Sequence, residues 1–282
     1  MTVASPALIQ EAVTALALTD LGVIGAVGGQ KAVRLVSDAA GQELVLKVIA
    51  VDFTTNEALT RAEREVDLLG RISNQNVVQV LSPLLELGTP THGAAWVEEH
   101  LDGDDLSAVM GSTPWSWADT RDMARQVANG LADAHVQGVI HRDLSPNNIR
   151  KLSSGVYKVL DFGFARYTLL PGITTAGQPG TFGYLSPEHL NSYSGGPMPS
   201  SDVFQVGNLM YRALTGALPI PYMGDQADYI DRLRRVHIVP LEILRPDLDP
   251  AQVALVKRAL HAQPARRFLH ATALRDALDG TP

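Results

Sequence analysis

The sequence predicts an α+β fold, β-rich around one long helix in its first third and mostly helical in the remainder. Three observations carry this. LVLKVIAV (44–51) is a compact β-prone run, opened by a Gly-Gln turn at 41–42. Leu59, Ala62, Val66, Leu69 and Ile72 recur at three- and four-residue steps, which is the spacing of one helix face. From Asp104 onward the texture changes to helix in segment after segment.

The elements follow in order. Residues 7–18 (ALIQEAVTALAL) read as a short amphipathic helix ahead of the rest, 21–36 and 43–51 as strands, and 57–72 as the long helix. Residues 77–87 and 94–98 read as further strand. HLDGDD (100–105) combines glycine with acidic residues, as a hinge would. Residues 117–137 carry Met123, Val127, Leu131 and Ala134 on one stripe after the start signal PWSWAD. Two short strands, 149–152 and 156–160, flank Gly155, and helices are predicted at 201–215, 225–236, 250–261 and 270–279.

Composition narrows the function classes. The 282 residues include 23 Lys+Arg and 30 Asp+Glu, a net charge of −7, which argues against a life on nucleic-acid phosphates. The 45% hydrophobic content is ample for a core, and the absence of cysteine removes disulfides, thiolate nucleophiles and Cys-based zinc sites. The first basic residue is Lys31, so no secretory leader is predicted. No apolar run approaches the roughly 20 residues of a bilayer span. The expectation is a soluble cytoplasmic protein.

HRDLSPNN at 141–148 and DFG at 161–163 carry the chemistry. Either string alone is a weak signal. Asp143 and Asn148 five residues apart, with Asp161 thirteen further on, are a specific one. Together they resemble the catalytic loop H-R-D-x-x-x-x-N and the metal loop D-F-G of protein kinases of the Hanks type. LVLK (44–47) resembles the family's strand-lysine motif, GTFGYLSPE (180–188) the end of its activation segment, SDVFQVGNLMYRALTG (201–216) its D-V-W-S-L-G helix, and PARRF (264–268) its closing P-x-x-R-P. The resemblance covers about residues 20–275.

What the resemblance implies is a bilobal kinase fold over residues 1–282 with an ATP cleft between the lobes: an N-terminal extension helix in 1–19, an N-lobe in 20–99, a hinge at 100–103 and a C-lobe in 104–282. Asp143 would orient the acceptor hydroxyl, Asn148 and Asp161 would hold Mg²⁺ or Mn²⁺, and Lys47 would sit on the ATP phosphates. Lys47 needs a carboxylate partner. Of Glu57, Glu63 and Glu65, the last lies on the inward edge of the apolar stripe, three residues after Ala62 and four before Leu69. The nucleotide-binding set is completed by Gly28, Gly29, Lys31, Val33, Val45, Glu99 and Arg150. Arg142 resembles the arginine that answers an activation-segment phosphate, here on Thr174 or Thr175, and Thr181 the threonine that bonds the catalytic aspartate in Ser/Thr kinases. Glu188 and Arg267 resemble the family's buried ion pair, and Asp202 its catalytic-loop anchor. His135 and His141 lack a familiar zinc spacing and read as packed histidines.

Four positions depart from the family pattern. The glycine loop, aligned by Val33, keeps only Gly28 in place and puts Lys31 where a glycine is usual; Lys31 reads equally as a cation over the phosphates or as a solvated one. Ser145 replaces a lysine whose loss would cost on the order of 2–4 kcal/mol of transition-state stabilisation. Glu98 takes a place normally apolar or threonine, and Arg150 one normally aliphatic; mutual compensation of the two is the expectation. The leading reading is an ATP- and Mg²⁺-dependent Ser/Thr-protein kinase with a protein substrate, also acting on itself. The alternative is a pseudokinase serving as a nucleotide-gated binding module. An aminoglycoside-type phosphotransferase shares the H-x-D-L-S-P-x-N string but not the rest. With no second sensor domain in view, regulation is expected from the activation segment, the N-terminal helix or a partner chain.

Overall fold

The computed structural model describes residues 4–24, 31–51, 57–162, 166–167, 181–190 and 196–282. The chain divides into two compact units, Met1–Ser73 with Val78–Asp102, and Asn74–Val77 with Gly103–Pro282.

In the first unit, α1 (Pro6–Ala15) starts at Ser5, whose hydroxyl accepts the Leu8 N–H at 3.2 Å, with proline at the first helical position. Then come β1 (Thr19–Val23), β2 (Lys31–Ser37), β3 (Glu43–Ala50), α2 (Glu57–Arg71), β4 (Leu85–Leu87) and β5 (Gly93–Glu99). They form one antiparallel sheet in the order β1-β2-β3-β5-β4. Strand alternation gives the sheet two apolar faces. Leu44, Leu46 and Val48 join Val36, Ala95 and Val97 beneath Leu8, Ala12 and Val13 of α1. The N-terminal helix is therefore part of this unit's core. On the other side, Ala62 and Val66 of α2 pack with Ile49, Val51, Ala94 and Trp96.

The long strand expected over 21–36 is two strands, β1 and β2, paired to each other, and the segment 25–30 lies outside the described residues. The strand expected at 77–87 contracts to Leu85–Leu87, preceded by isolated bridges from Val77 to Val159 and from Val80 to Glu98. Pro83, which has no N–H to give a ladder, interrupts it.

The second unit runs β6 (Gly103–Asp105), α3 (Leu106–Val109), α4 (Trp117–Val136), β7 (Val139–Ile140), β8 (Ile149–Leu152), β9 (Tyr157–Val159), β10 (Arg166–Tyr167), α5 (Pro199–Thr215), α6 (Gln226–Arg235), α7 (Leu241–Leu244), α8 (Pro250–Ala259) and α9 (Ala271–Asp279). Strand β8 sits between β6 and β9, and β7 pairs with β10. Helix α5 is the centre of this unit: Val203, Phe204, Val206, Leu209, Met210 and Leu214 are all buried, against α4, α8 and α9. Ser200, Ser201, Asp202, Gln205 and Asn208 of the same helix are buried as well, so α5 is enclosed almost all round and its polar side chains need partners inside the unit.

Residues 74–77 belong here because of polar bonds to α4. Asn74 Nδ2 donates to the Asn129 carbonyl (3.1 Å) and to Asp133 (2.8 Å). Asn76 Nδ2 donates to Gln126 (3.0 Å) and to the Tyr157 carbonyl (2.8 Å). The chain crosses back into this unit between Asp102 and Gly103. Among the described residues no helix is long and apolar enough to cross a membrane.

Candidate active site

The residues singled out by the sequence fall into two groups, one in each unit. In the first unit the pairing register fixes one group. Lys31 lies opposite Ile49, Val33 opposite Lys47, Lys47 opposite Trp96, and Val45 opposite Glu98. Side chains directly opposite one another share a face, so Lys31, Val33, Val45, Lys47, Trp96 and Glu98 project together, toward the side where α2 packs. Glu65 of α2 is 1% exposed and meets them there.

Two ammonium groups and two carboxylates interlock on this face. Lys47 Nζ is 2.7 Å from Glu98 Oε1 and 3.6 Å from Glu65 Oε1. Glu65 Oε2 is held by Lys31 Nζ at 2.7 Å. Trp96 Nε1 donates to Glu98 Oε1 at 2.9 Å, and its ring lies 5.5 Å from the Lys31 ammonium and 5.8 Å from that of Lys47. Of these two carboxylates, Glu98 lies nearer Lys47 than Glu65 does. Lys31 is an ion-pair partner of Glu65, with its side chain 24% exposed.

Glu98 and Arg150, expected to compensate each other, each have a partner of opposite charge within their own unit. Glu98 is satisfied by Lys47 and Trp96, while Arg150 pairs with Asp105 at 3.0 Å, a consequence of the β6–β8 register that sets Asp105 opposite Arg150. Glu99 accepts the Gln79 N–H at 2.8 Å. Gly28, Gly29, Thr174 and Thr175 lie outside the described residues, as does the glycine of the DFG string.

In the second unit, the loop after β7 is built on α5. Asp202, in the first turn of α5 and 0% exposed, accepts the backbone N–H groups of His141 (2.9 Å) and Arg142 (3.0 Å) and the Nε2–H of His135 (2.8 Å). His135 Nδ1 accepts the Ala271 N–H at 3.0 Å, so both ring nitrogens are occupied within the protein. Burial pushes the Asp202 carboxyl up, but the hydrogen bond from His135, the nearby His135 and His141 and the Arg142 N–H together keep it below the usual carboxylate range. Gln205, one turn further along α5, donates to the Arg142 carbonyl (3.2 Å) and accepts the Leu144 N–H (3.2 Å). His189 Nε2 donates to the same Arg142 carbonyl at 2.7 Å, and its Nδ1 accepts the Ser186 N–H at 3.1 Å. Arg142 has φ 72°, a left-handed conformation that a non-glycine residue adopts only when its surroundings impose it. The grip on both sides of its peptide from Asp202, Gln205 and His189 imposes it here.

This scaffold aims Asp143. Its Oδ1 accepts both the N–H (2.7 Å) and the hydroxyl (2.8 Å) of Thr181, and Asn148 Nδ2 donates to its carbonyl at 2.7 Å. With the amide N–H committed inward, Asn148 Oδ1 is the acceptor left for a cation. Asp161 has φ 50°, a second left-handed residue. The Asn148 carbonyl accepts the Leu160 N–H at 2.9 Å, and His141 Nε2 donates to the Leu160 carbonyl at 2.9 Å, which ties the segment before Asp161 to the loop. One amide oxygen and one carboxylate suit a hard cation that takes its other ligands from phosphate and water. Ser145, 1% exposed, points its hydroxyl inward, where it finds no hydrogen-bond partner.

Below this, Arg267 and Glu188 form a buried pair at 2.7 and 3.1 Å. Three residues that the sequence reading did not single out prove central: Trp96, His189 and Gln205. Gln205 left a readable signal, an amide within the largely apolar run VFQVGNLM of α5, where a buried polar group must have partners.

Comparison with known proteins gives the same picture. Residues 18–277 match the family model described as the protein kinase domain. The serine/threonine-protein kinase pkn3 of Myxococcus xanthus is 33% identical over 276 residues, which is 91% of this chain and 48% of that protein. PknD of Mycobacterium tuberculosis is 30% identical over 255 residues, 86% of this chain and 36% of its own length. PknL of Mycobacterium bovis is 34% identical over 235 residues, 82% and 57% respectively. The chain thus spans about half or less of the first two relatives and somewhat more than half of the third.

Proposed function

Since the chain belongs to the protein kinase domain family, we infer that it transfers the γ-phosphoryl group of ATP to Ser or Thr hydroxyls of proteins, its own included. The observation that carries this reading is the double hydrogen bond from Thr181 to Asp143 Oδ1, on a loop already fixed by Asp202. Phosphoryl transfer asks little covalent work of a protein; positioning and charge stabilisation dominate. Asp143, held by its neighbours in one orientation, would accept a hydrogen bond from the acceptor hydroxyl and take its proton as the oxygen commits to phosphorus. Thr181 would leave Oδ2 as the oxygen turned to that hydroxyl. Lys47 would supply compact positive charge to the phosphates. Asn148 and Asp161 are the residues that would hold Mg²⁺ or Mn²⁺. Such an ion would supply positive charge to the phosphates. Phosphate on Thr174 or Thr175 would find a counter-charge in Arg142.

The test is phosphate transfer from ATP with Mg²⁺ or Mn²⁺, onto the protein itself and onto a general protein substrate, for wild type and Asp143→Asn. Labelling by wild type, with a loss of about 10²–10⁴-fold in the variant, is expected. Tight ATP binding with no transfer by either protein refutes the enzyme and leaves a nucleotide-binding module.

A further inference from the structure

The face shared by β2, β3 and β5 carries one cation and one anion more than the family pattern calls for, and the two extra charges are Lys31 and Glu98. They are not independent. Lys31 has its ammonium on Glu65 at 2.7 Å, the same carboxylate whose other oxygen lies 3.6 Å from Lys47. Both ammonium groups stand over one indole ring, that of Trp96. A second ammonium in so enclosed a place requires a second anion, and Glu98, 3% exposed and 2.7 Å from Lys47, provides it. The quartet is neutral as a whole. Its lysines differ in access: the Lys31 side chain is 24% exposed and that of Lys47 10%.

Building on the nucleotide-dependent reading above, we propose that Lys31 is a second phosphate-binding lysine that overlaps in function with Lys47. Glu65 positions both, and Glu98 is the counter-ion that allows two ammonium groups to coexist there. Coulomb attraction falls only as the inverse of distance, so an ammonium one strand away keeps much of its pull on a polyphosphate. Lys47 substitution should therefore be far milder than at a site with a single lysine, where loss of one charged contact costs about 10²–10³-fold.

The experiment measures Mg²⁺-ATP and adenosine affinities by calorimetry for wild type, Lys31→Met, Lys47→Met and the double variant. Adenosine carries no phosphate and reports the integrity of the rest of the site. Each single variant should lose about tenfold in the preference for ATP over adenosine, with adenosine affinity unchanged. The double variant should lose more than the product of the two single losses. Lys31→Arg, which keeps the charge, should retain the preference. Because Lys47→Met strands Glu98 without its ammonium, the same comparison is run in a Glu98→Gln background, where the charge count stays balanced if the first set fails to fold. Complete loss of the preference in Lys47→Met alone overturns the proposal, and so does a Lys31→Met change without effect beside it. A wild type that shows no preference for ATP also overturns it. Wild type that prefers ATP but transfers no phosphate refutes the enzyme reading, and the binding ratios still decide this one.

Discussion

Arg267→Met tests how the second unit is held together. Arg267 is fully buried, and its guanidinium donates twice to Glu188 (2.7 and 3.1 Å) and to the carbonyls of His261 (2.6 Å), Ser200 (3.1 Å) and Ala262 (3.0 Å). The same group lies 4.6 Å from the Phe204 ring, which methionine can still cover. The substitution leaves Glu188, 1% exposed, with Ser201 Oγ at 3.3 Å as its remaining hydrogen bond. Breaking a buried pair from one side costs about 3–5 kcal/mol, because a charge is left without compensation. For a domain of this size each kcal/mol moves the midpoint by roughly 2–4 °C, so thermal unfolding should come about 10 °C earlier. Removing both charges, with Glu188→Leu and Arg267→Met together, abolishes the stranded carboxylate but not the three stranded carbonyls. The double variant should therefore recover about 2 kcal/mol relative to the sum of the single changes. Chemical denaturation of the four proteins reads this directly. Additive losses, or an Arg267→Met change below about 1 kcal/mol, would show that the pair is not the keystone its contacts describe.

Three further outcomes follow from the geometry. His189 is held neutral, its pKa pushed below the ordinary 6.5, chiefly by burial. The unfolded chain binds a proton there before the folded one does, so this stability is whole above the unfolded value and is lost as pH falls through about 6.5, by up to about 1.4 kcal/mol per pH unit; denaturation from pH 7.5 downward should show a shallower slope in His189→Gln. Gly130 on α4 faces the backbone of the segment that α4 anchors, and an added Cβ would lie 2.6 Å from the Asn76 carbonyl oxygen. Gly130→Ala should thus lose about 1–3 kcal/mol through the clash, against about 1 kcal/mol gained in helix propensity, and a net gain by denaturation would show that the segment yields. Ser145→Ala removes a buried hydroxyl that has no partner, so the variant should unfold at the same temperature or up to several degrees higher; a lower midpoint would reveal a bond the hydroxyl makes.

What the sequence disclosed, and what it hid, divides by range of interaction. The helices legible from their apolar spacing, at 57–72, 117–137 and 201–215, stand within two residues of those positions as α2, α4 and α5, because one buried face decides a helix and that face is written locally. The four-residue helices α3 and α7 and the two-residue strands β7 and β10 were not legible, since their length is below any period. The 77–87 reading took β-prone composition as a ladder. In the structure the part of this stretch before β4 pairs with β5 around the Val80–Glu98 bridge, through Leu81 N–H to the Val97 carbonyl (2.8 Å) and Glu99 N–H to the Gln79 carbonyl (3.0 Å). Side chains take over beside it, with Glu99 on the Gln79 N–H and Ser82 Oγ on the Val97 N–H.

The charged face of the first unit shows the same limit at the site. Glu98 was recognisable as a carboxylate in need of a partner, because an ionised group in an apolar place always is. Its partners in the first unit, Lys47 and Trp96, are not marked by any local pattern. Register sets its surroundings instead: one residue's shift in β5 would turn Glu98 and Trp96 to the opposite face, away from Lys47. The pairing Val45 with Glu98 and Lys47 with Trp96 instead brings carboxylate, indole and ammonium to adjacent places on two neighbouring strands. Lys31 arrives by the same rule from β2, opposite Ile49 and two residues from Val33, which faces Lys47. A pattern search over the sequence treats the odd lysine and the odd glutamate as two separate defects in a kinase signature. Once the strands are in register they fall on one face, each answered by an opposite charge, Lys31 by Glu65 and Glu98 by Lys47, and the added positive and negative charges balance.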